Sequence, residues 1–211
     1  MEINSEKKDY IFSLIKEYFD FPLTAKDFKR CFEEFELGEK GFRVESGAAK
    51  KCLFHEEFDN CVVKFCLEDF DYCEREYTNY LAAIEKGFND FFPYTDYLGY
   101  FNGIKFFVQE QAYCDNEAIS SIWYHAILED YIPEEEDENE YILNEKILDL
   151  LYDLEDEQRV SYCFGYNEKL LDFLDEYCIN DLHDGNFGYI DGEIVIIDFS
   201  GYGFLARERR F

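Results

Sequence analysis

The most informative stretch of this sequence reads Ile179-Asn180-Asp181-Leu182-His183-Asp184-Gly185-Asn186-Phe187-Gly188, continues through residues 189–197 and ends in Asp198-Phe199-Ser200-Gly201. Its centre predicts a β-hairpin, because Asp191-Gly192 tolerates the positive φ angles of a type I′ turn between antiparallel strands. In the register that this turn imposes, Asn186 pairs with Ile197, and Asp198 follows the second strand directly.

The polar residues around this hairpin suit a divalent cation. The carboxylate of Asp198 and the amide oxygen of Asn186 are ligands that a hard cation such as Mg²⁺ takes and often shares with phosphates. Because successive strand residues alternate between faces, a bend after Ile197 is needed to bring both side chains to one side. Asp181, one short loop upstream, is then a candidate to accept a proton from a substrate hydroxyl. A surface hairpin preceded by an ordinary polar turn is the simpler alternative.

Residues 181–186 resemble the catalytic loop of protein-kinase-like phosphotransferases. The loop Asp-Leu-His-Asp-Gly-Asn is most similar to that of aminoglycoside and choline kinases, in which an Asp base is followed five positions later by an Asn metal ligand. Asp198-Phe199-Ser200 occupies the place of the family's metal-binding Asp-Phe-Gly. The resemblance implies that Asp181 is the catalytic base, that Asn186 and Asp198 bind Mg²⁺, and that ATP is the phosphate donor. Asn180 and Ser200 depart from the family pattern without removing a catalytic group.

A lysine inside an apolar run extends the resemblance upstream. Lys64 lies in the predicted strand at residues 61–65, which resembles the Val-Ala-Ile-Lys strand of kinases. A buried lysine is costly unless it meets an anion, and the family supplies two, a nucleotide phosphate and a Glu of the next helix. We predict Glu76 as that partner, with Glu74 as the alternative. A lysine at a strand edge in solvent is the simpler interpretation.

The helix that carries Glu76 is predicted over residues 70–86. Gly87 is a natural stop after it. Its apolar face is predicted from helical spacing to contain Cys73, Tyr77, Tyr80 and Ile84.

A glycine-containing segment at residues 37–50 precedes the strand predicted at residues 51–54. Glycines let a backbone approach phosphate closely and donate N–H groups to it. The spacing is that of an ordinary loop, and only its order before Lys64 makes it a candidate nucleotide cover. The residues proposed for that contact are Ser46, Gly47 and Ala48.

A second hairpin is predicted around Asn102-Gly103, with strands at residues 97–101 and 104–108. It leads into residues 108–112, where kinases place the hinge whose backbone pairs with adenine. By position, Glu110 and Ala112 are the candidate hinge residues.

The composition predicts a folded protein and restricts the classes of molecule that it can bind. Of the 211 residues, 47% are hydrophobic and 20% are aromatic, unlike a disordered chain. The 49 acidic residues against 20 basic ones give a net charge of −29. This charge repels phosphates and argues against direct binding to nucleic acid or to an anionic membrane surface. The expected partners are a nucleotide and a cationic small molecule or basic protein, and no particular oligomeric state is predicted.

The cysteines and the N-terminus indicate the compartment. The eight cysteines include no Cys-x-x-Cys pair and no His at ligand spacing, so a zinc site is not expected. No secretory signal is predicted at the N-terminus, and no uncharged apolar run approaches the roughly 18 residues that span a bilayer. We therefore expect a cytoplasmic protein with reduced thiols.

The resemblance implies an α+β, protein-kinase-like two-lobed fold with nucleotide in its cleft. Three parts are expected: an N-terminal helical extension (1–36), a small mixed β-sheet lobe with one helix (37–110), and a mostly helical lower lobe with the catalytic loop and hairpin (111–211). Additional helices are predicted at residues 9–19, 24–35, 117–131, 142–154 and 168–177, and an exposed acidic loop at 133–140. Only thirteen residues follow Asp198, so the fold is expected to be truncated after the metal-binding Asp.

The implied function is ATP- and Mg²⁺-dependent phosphoryl transfer to a cationic small molecule, such as an aminoglycoside-like amine, or to a basic protein. Transfer of AMP by the same site residues is an open alternative. A second alternative is a catalytically weak, kinase-like binding protein whose acidic surface mimics DNA and regulates a basic partner.

Overall fold

The computed structural model of the chain describes residues 3–18, 41–46, 50–67, 71–131 and 140–201. They belong to two compact units, Met1–Gln111 and Ala112–Phe211. Several predicted features lie outside the described residues: the helix at 24–35, Gly47 and Ala48, the acidic run before Glu140, and the chain after Gly201. Within the described ranges, no helix has the length and apolar character needed to cross a membrane.

The first unit contains a five-stranded antiparallel sheet with the order β1-β2-β3-β5-β4. Its strands are β1 (Phe42–Ser46), β2 (Lys50–His55), β3 (Cys61–Cys66), β4 (Thr95–Phe101) and β5 (Ile104–Glu110). The predicted hairpin between β4 and β5 is confirmed, since Phe101 pairs with Ile104. Asn102 and Gly103 have φ angles of 49° and 82°, as the tight turn requires.

One face of this sheet packs against helix α1 (Ser5–Tyr18). The helix begins at Ser5 rather than at residue 9, because the Asn4 side chain accepts a hydrogen bond from the Lys7 N–H at 2.9 Å and caps it. The packing is close at Gly99, where a Cβ would lie 2.3 Å from the Phe12 ring. The shared core contains Ile11, Leu14 and Ile15 of the helix and Leu53, Val63, Phe65, Phe106 and Val108 of the strands.

Helix α2 (Tyr72–Lys86) follows β3. Asp71 caps its start by accepting a hydrogen bond from the Glu74 N–H at 3.0 Å, and Gly87 ends it with a φ of 77°, as predicted. The predicted apolar face is wrong at Ile84, which is 49% exposed. The buried residues of the helix are Cys73, Glu76, Asn79, Tyr80 and Ala83. At its C-terminal end the helix therefore buries Ala83 rather than its neighbour Ile84.

The second unit combines helices with a two-stranded hairpin. Its elements are α3 (Asn116–Asp130), α4 (Glu140–Tyr152), α5 (Asp156–Phe164), α6 (Glu168–Glu176), β6 (Phe187–Ile190) and β7 (Glu193–Ile196). Trp123 of α3 packs edge-on against Phe187 of β6, with ring centroids 5.6 Å apart. Helix α5 is not predicted from hydrophobic spacing, because Val160 is its one buried residue and a capping box of Glu155 and Gln158 starts it instead.

Candidate functional site

A buried ion pair joins β3 to α2 in the first unit. The Lys64 Nζ donates to both carboxylate oxygens of Glu76, at 3.1 and 3.2 Å. The side chains are only 7% and 1% exposed. Lys64 is held in place by its strand, where it pairs with Cys52 on one side and Phe107 on the other. The structure therefore brings these two candidate residues into contact, and their role towards a nucleotide stays a prediction.

A second lysine contacts the same carboxylate. The Nζ of Lys50, the first residue of β2, lies 3.5 Å from the Glu76 Oε1, and its side chain is 7% exposed. The β2–β3 register explains the contact, because Lys50 pairs with Cys66, which shares a sheet face with Lys64. Two buried ammonium groups thus converge on one carboxylate. Sequence reasoning missed Lys50, because it follows a glycine-containing loop.

Glu74, the alternative partner of Lys64, lies on the exposed side of α2. Its carboxylate pairs with Lys105 of β5, and both side chains are substantially exposed. The helical turn between Glu74 and Glu76 accounts for the difference, since residues two apart in a helix face different directions.

The candidate hinge residues lie at the end of β5. The Glu110 N–H donates to the Tyr94 carbonyl at 2.9 Å, and the next N–H, of Gln111, donates to the Asn60 carbonyl at 2.8 Å. Ala112 begins the second unit. Ser46 is the last residue of β1.

The loop from Asp181 to Asn186 is closed by its own hydrogen bonds in the second unit. The buried Asn186 side chain donates through Nδ2 to the backbone carbonyl of Asp181. The Asn186 N–H donates to the His183 carbonyl at 2.9 Å, within a 3-10 turn over Asp184–Asn186. Because Nδ2 is used in this way, the amide oxygen of Asn186 is the atom left to serve as a metal ligand.

The hairpin after this loop has the predicted register. Ile190 pairs with Glu193, and Asp191 and Gly192 have φ angles of 51° and 90°. The Ile197 N–H donates to the Asn186 carbonyl at 2.9 Å, and the chain bends at Ile197. The bend that a shared site for Asn186 and Asp198 requires is therefore present.

The segment after the bend is fixed by close contacts. The Ser200 hydroxyl donates to the Asp198 Oδ1 at 3.1 Å. Gly201 has a φ of 72°, and a Cβ there would lie 1.9 Å from the Cys178 carbonyl oxygen. Only glycine fits this position, so the chain can turn directly after Asp198-Phe199-Ser200.

Arg159 of α5 positions the loop from outside. Its Nη1 donates to the Leu182 carbonyl at 3.2 Å, and its guanidinium lies over the Trp123 ring, 5.5 Å from the centroid. Sequence reasoning missed this residue together with the helix that carries it. Arg159 lies between Asp156 and Val160 in a charged segment. Nothing in that segment distinguishes it from an arginine on the protein surface.

The residues present fit Mg²⁺ and a phosphate by their chemistry. Asn186 and Asp198 offer an amide oxygen and a carboxylate, which are hard ligands of the kind that Mg²⁺ prefers. Lys50 and Lys64 offer two buried ammonium groups, and a buried cation is stabilised by a nearby anion. The two side chains of the second unit thus suit a magnesium ion. The two lysines of the first unit separately suit a phosphate group.

No protein-family description and no curated protein sequence matches this chain. Among solved structures, the chain is similar to an aminoglycoside phosphotransferase from Alicyclobacillus acidocaldarius subsp. acidocaldarius DSM 446, with a TM-score of 0.33 and 11% sequence identity. The similarity covers 80% of this chain and 64% of that structure, so the chain spans less than two thirds of its length. A TM-score of this size does not establish a shared fold or a shared activity.

Proposed function

We propose that this chain is a kinase-like phosphotransferase that uses ATP and Mg²⁺. The observation that carries the proposal is the buried contact between Lys64 of β3 and Glu76 of the following helix. A lysine inside a strand, bonded by a helical glutamate, is the arrangement that kinases use to hold nucleotide phosphates. The loop from Asp181 to Asn186 and the bend before Asp198 agree with the same class of enzyme.

In this proposal each residue has one role. Lys64 binds phosphate oxygens and Glu76 orients it, while Lys50 adds a second positive charge. Asn186 and Asp198 hold Mg²⁺, which neutralises charge on the transferring phosphoryl group when bound. Catalysis is then mainly positioning and electrostatic stabilisation.

Asp181 is proposed to orient the acceptor hydroxyl and to take its proton. The hydrogen bond from the Asn186 side chain to the Asp181 carbonyl fixes the backbone of this residue relative to a proposed metal ligand. A base placed in this way contributes about 10²–10⁴-fold to a rate. Ser46, Gly47 and Ala48 are proposed to cover the nucleotide, and the backbones of Glu110 and Ala112 to contact adenine.

The acceptor is proposed to be cationic. A net charge of −29 attracts cations over a distance set by screening, about 8 Å at physiological ionic strength. A polyamine with hydroxyl groups or a basic protein surface satisfies this condition. Both are tested as acceptors in the experiment that follows.

The test is incubation of the full chain with Mg²⁺, ATP and each acceptor, read by mass spectrometry of acceptor and protein. We expect Asp198→Ala to lower transfer by at least about 100-fold, because a group that stabilises transition-state charge is lost. Asp172→Ala, on the exposed side of α6, is the matched control and should keep the wild-type rate. Equal rates in wild type and Asp198→Ala, with both folded, would exclude the assignment.

The same experiment separates the alternatives. A mass increase of one phosphoryl group supports the proposal, whereas an increase of one AMP group identifies adenylyl transfer. Loss of transfer in Asp198→Ala but not in Asp181→Ala would remove the base and leave the metal site. If Mg²⁺ and ATP do not raise the melting temperature of the wild type, and the chain binds a DNA-binding protein tightly, the DNA-mimic function replaces the enzyme.

A further inference from the structure

Two cysteines are in contact beside the Lys64–Glu76 ion pair. The Sγ atoms of Cys66, at the end of β3, and Cys73, in the first turn of α2, are buried and 3.4 Å apart. Cys66 shares a sheet face with Lys64, and Cys73 lies one helical turn before Glu76. The two thiols therefore connect the same strand and helix that the ion pair connects.

The two sulfur atoms differ in chemistry. A hydrogen bond from the Cys73 thiol lowers the pKa of Cys66, whereas burial raises the pKa of Cys73 well above its ordinary value. The thiolate is the nucleophile in thiol–disulfide exchange. Cys66 is therefore the attacking sulfur and Cys73 the resolving one.

We propose that Cys66 and Cys73 are a redox modification site and form a reversible disulfide that fastens α2 to β3. A disulfide requires its sulfur atoms to lie about 2.05 Å apart. From 3.4 Å they must approach by roughly 1.4 Å, a movement that two side chains share. The site does not depend on the proposed phosphotransfer.

The oxidant is a small disulfide of the glutathione type. The Cys66 thiolate attacks one of its sulfur atoms, which forms a mixed disulfide and releases one glutathione thiolate. Cys73 then loses its proton and attacks the Cys66 sulfur, which releases the second glutathione thiolate. Two electrons pass from the cysteine pair to the oxidant, and the two thiol protons leave with the two glutathione molecules.

The sequence makes this site simple to assay. Trypsin cleaves after Lys64 and Arg75, so residues 65–75 form one peptide that contains both cysteines and no other. The reduced full chain is equilibrated with mixtures of reduced and oxidised glutathione, alkylated with N-ethylmaleimide, digested and analysed by mass spectrometry. We expect this peptide to lose two hydrogen atoms, to carry no maleimide, and to recover both thiols after treatment with dithiothreitol.

Two variants test the assignment. Cys52→Ser removes a thiol that pairs with Lys64 across the β2–β3 register, and its 65–75 peptide should oxidise as in the wild type. Cys73→Ser should stop at the mixed disulfide of Cys66 with glutathione. If Cys73→Ser does not fold, the mass of the wild-type peptide still decides the question.

Three results would overturn the proposal. The exposed Cys114 serves as the reference for complete oxidation. The first contrary result is a wild-type peptide that carries two maleimides or two glutathiones under conditions in which Cys114 is fully oxidised. The second is a disulfide from Cys66 or Cys73 to a different cysteine. The third concerns Asp71, whose carboxylate lies within 4.8 Å of both sulfur atoms. If the reduced chain binds one Zn²⁺, and glutathione oxidises the peptide only after chelation, the group is a zinc site instead.

Discussion

In the first unit, the buried side chains of Lys50 and Lys64 both contact the buried carboxylate of Glu76. In the second unit, polar side chains near the hairpin make local hydrogen bonds. The Asn186 side chain donates to the Asp181 carbonyl, and the Ser200 hydroxyl donates to the carboxylate of Asp198, two residues away. The two regions differ in the groups that interact with their polar side chains. Charged groups compensate one another in the first region, whereas a backbone carbonyl and a side-chain hydroxyl form the hydrogen bonds of the second.

This comparison predicts different costs for similar changes. Removing one charge from a buried ionic group takes a counter-charge away from its buried partners, so the free energy of unfolding should fall strongly. Changing a side chain held by one backbone hydrogen bond costs about 1–3 kcal/mol when a buried partner is left unsatisfied. A polar side chain of the second region can therefore be replaced at lower cost to the stability of the fold.

The largest expected effect is that of Glu76→Gln. The variant keeps the volume of the side chain but leaves two buried lysines facing a neutral amide. We expect the free energy of unfolding to fall by about 3–5 kcal/mol, as for a buried ion pair that loses one partner. Denaturant unfolding measures this change.

The control for that variant is Glu74→Gln. Glu74 pairs with Lys105 where both side chains are at least a third exposed, so its removal should cost less than about 1 kcal/mol. Equal losses in the two variants would show that burial does not distinguish the two glutamates.

Gly201→Ala tests a close backbone contact of the second region. The added Cβ would lie 1.9 Å from the Cys178 carbonyl oxygen at a φ of 72°, so the backbone must move. We expect a loss of about 2–4 kcal/mol, from backbone strain together with a steric clash.

Gly192→Ala separates these two causes. Gly192 has a similar φ of 90°, but a Cβ there would meet nothing within 4 Å. Its cost should be limited to the left-handed conformation, about 1–2 kcal/mol. If Gly192→Ala costs as much as Gly201→Ala, the contact with Cys178 is not what fixes the segment.

Asn186→Asp compares the structural role of residue 186 with its proposed metal-binding role. The carboxylate cannot donate to the Asp181 carbonyl, so without Mg²⁺ we expect a loss of about 1–3 kcal/mol. An added carboxylate strengthens a magnesium site, so millimolar Mg²⁺ should restore part of this stability and raise the melting temperature of the variant more than that of the wild type.

The exposed Asn180 provides the control for added charge in the same loop. The melting temperature of Asn180→Asp should not respond to Mg²⁺ more than that of the wild type. A Mg²⁺ response of equal size in both variants would indicate general screening rather than a site at residue 186.

The parts of this arrangement that sequence reasoning predicts are local. Asp191-Gly192 sets the hairpin register through its turn geometry, and the pairing of Ile190 with Glu193 follows from it. Helical periodicity favours Glu76 as the partner of Lys64 but leaves Glu74 open, and the structure decides for Glu76. In both cases the feature depends on residues that are close together in the sequence.

The contacts that sequence reasoning misses form between elements whose packing or strand register the local sequence does not specify. Lys50 contacts Glu76 because β2 pairs with β3, and nothing near Lys50 in the sequence states that register. Cys66 and Cys73 meet because α2 packs where β3 ends, at a spacing that resembles no known ligand motif. Ile84 is exposed because the buried side of α2 contains Ala83 instead, which hydrophobicity alone does not predict.

The smallest predicted effect is the pH dependence of stability that Asp71, the N-cap of α2, contributes. Its sign follows from the burial of this carboxyl group. Burial raises the pKa of Asp71 above the ordinary 3.8, and the Glu74 carboxylate adds to this, while the Glu74 N–H and Lys105 oppose it. A carboxyl group with a raised pKa in the folded state stabilises the fold when protonated, and this contribution is lost as pH rises through that pKa.

Asp71→Asn keeps the cap acceptor for the Glu74 N–H but has no charge. Relative to wild type, its stability should therefore increase between about pH 4 and pH 7, by less than about 1 kcal/mol because water partly screens the site. Asp71→Ala, which also loses the cap, should be less stable than Asp71→Asn by about 1 kcal/mol at both pH values. A difference between Asp71→Asn and wild type that shrinks with rising pH would mean that Lys105, and not burial, governs this carboxylate.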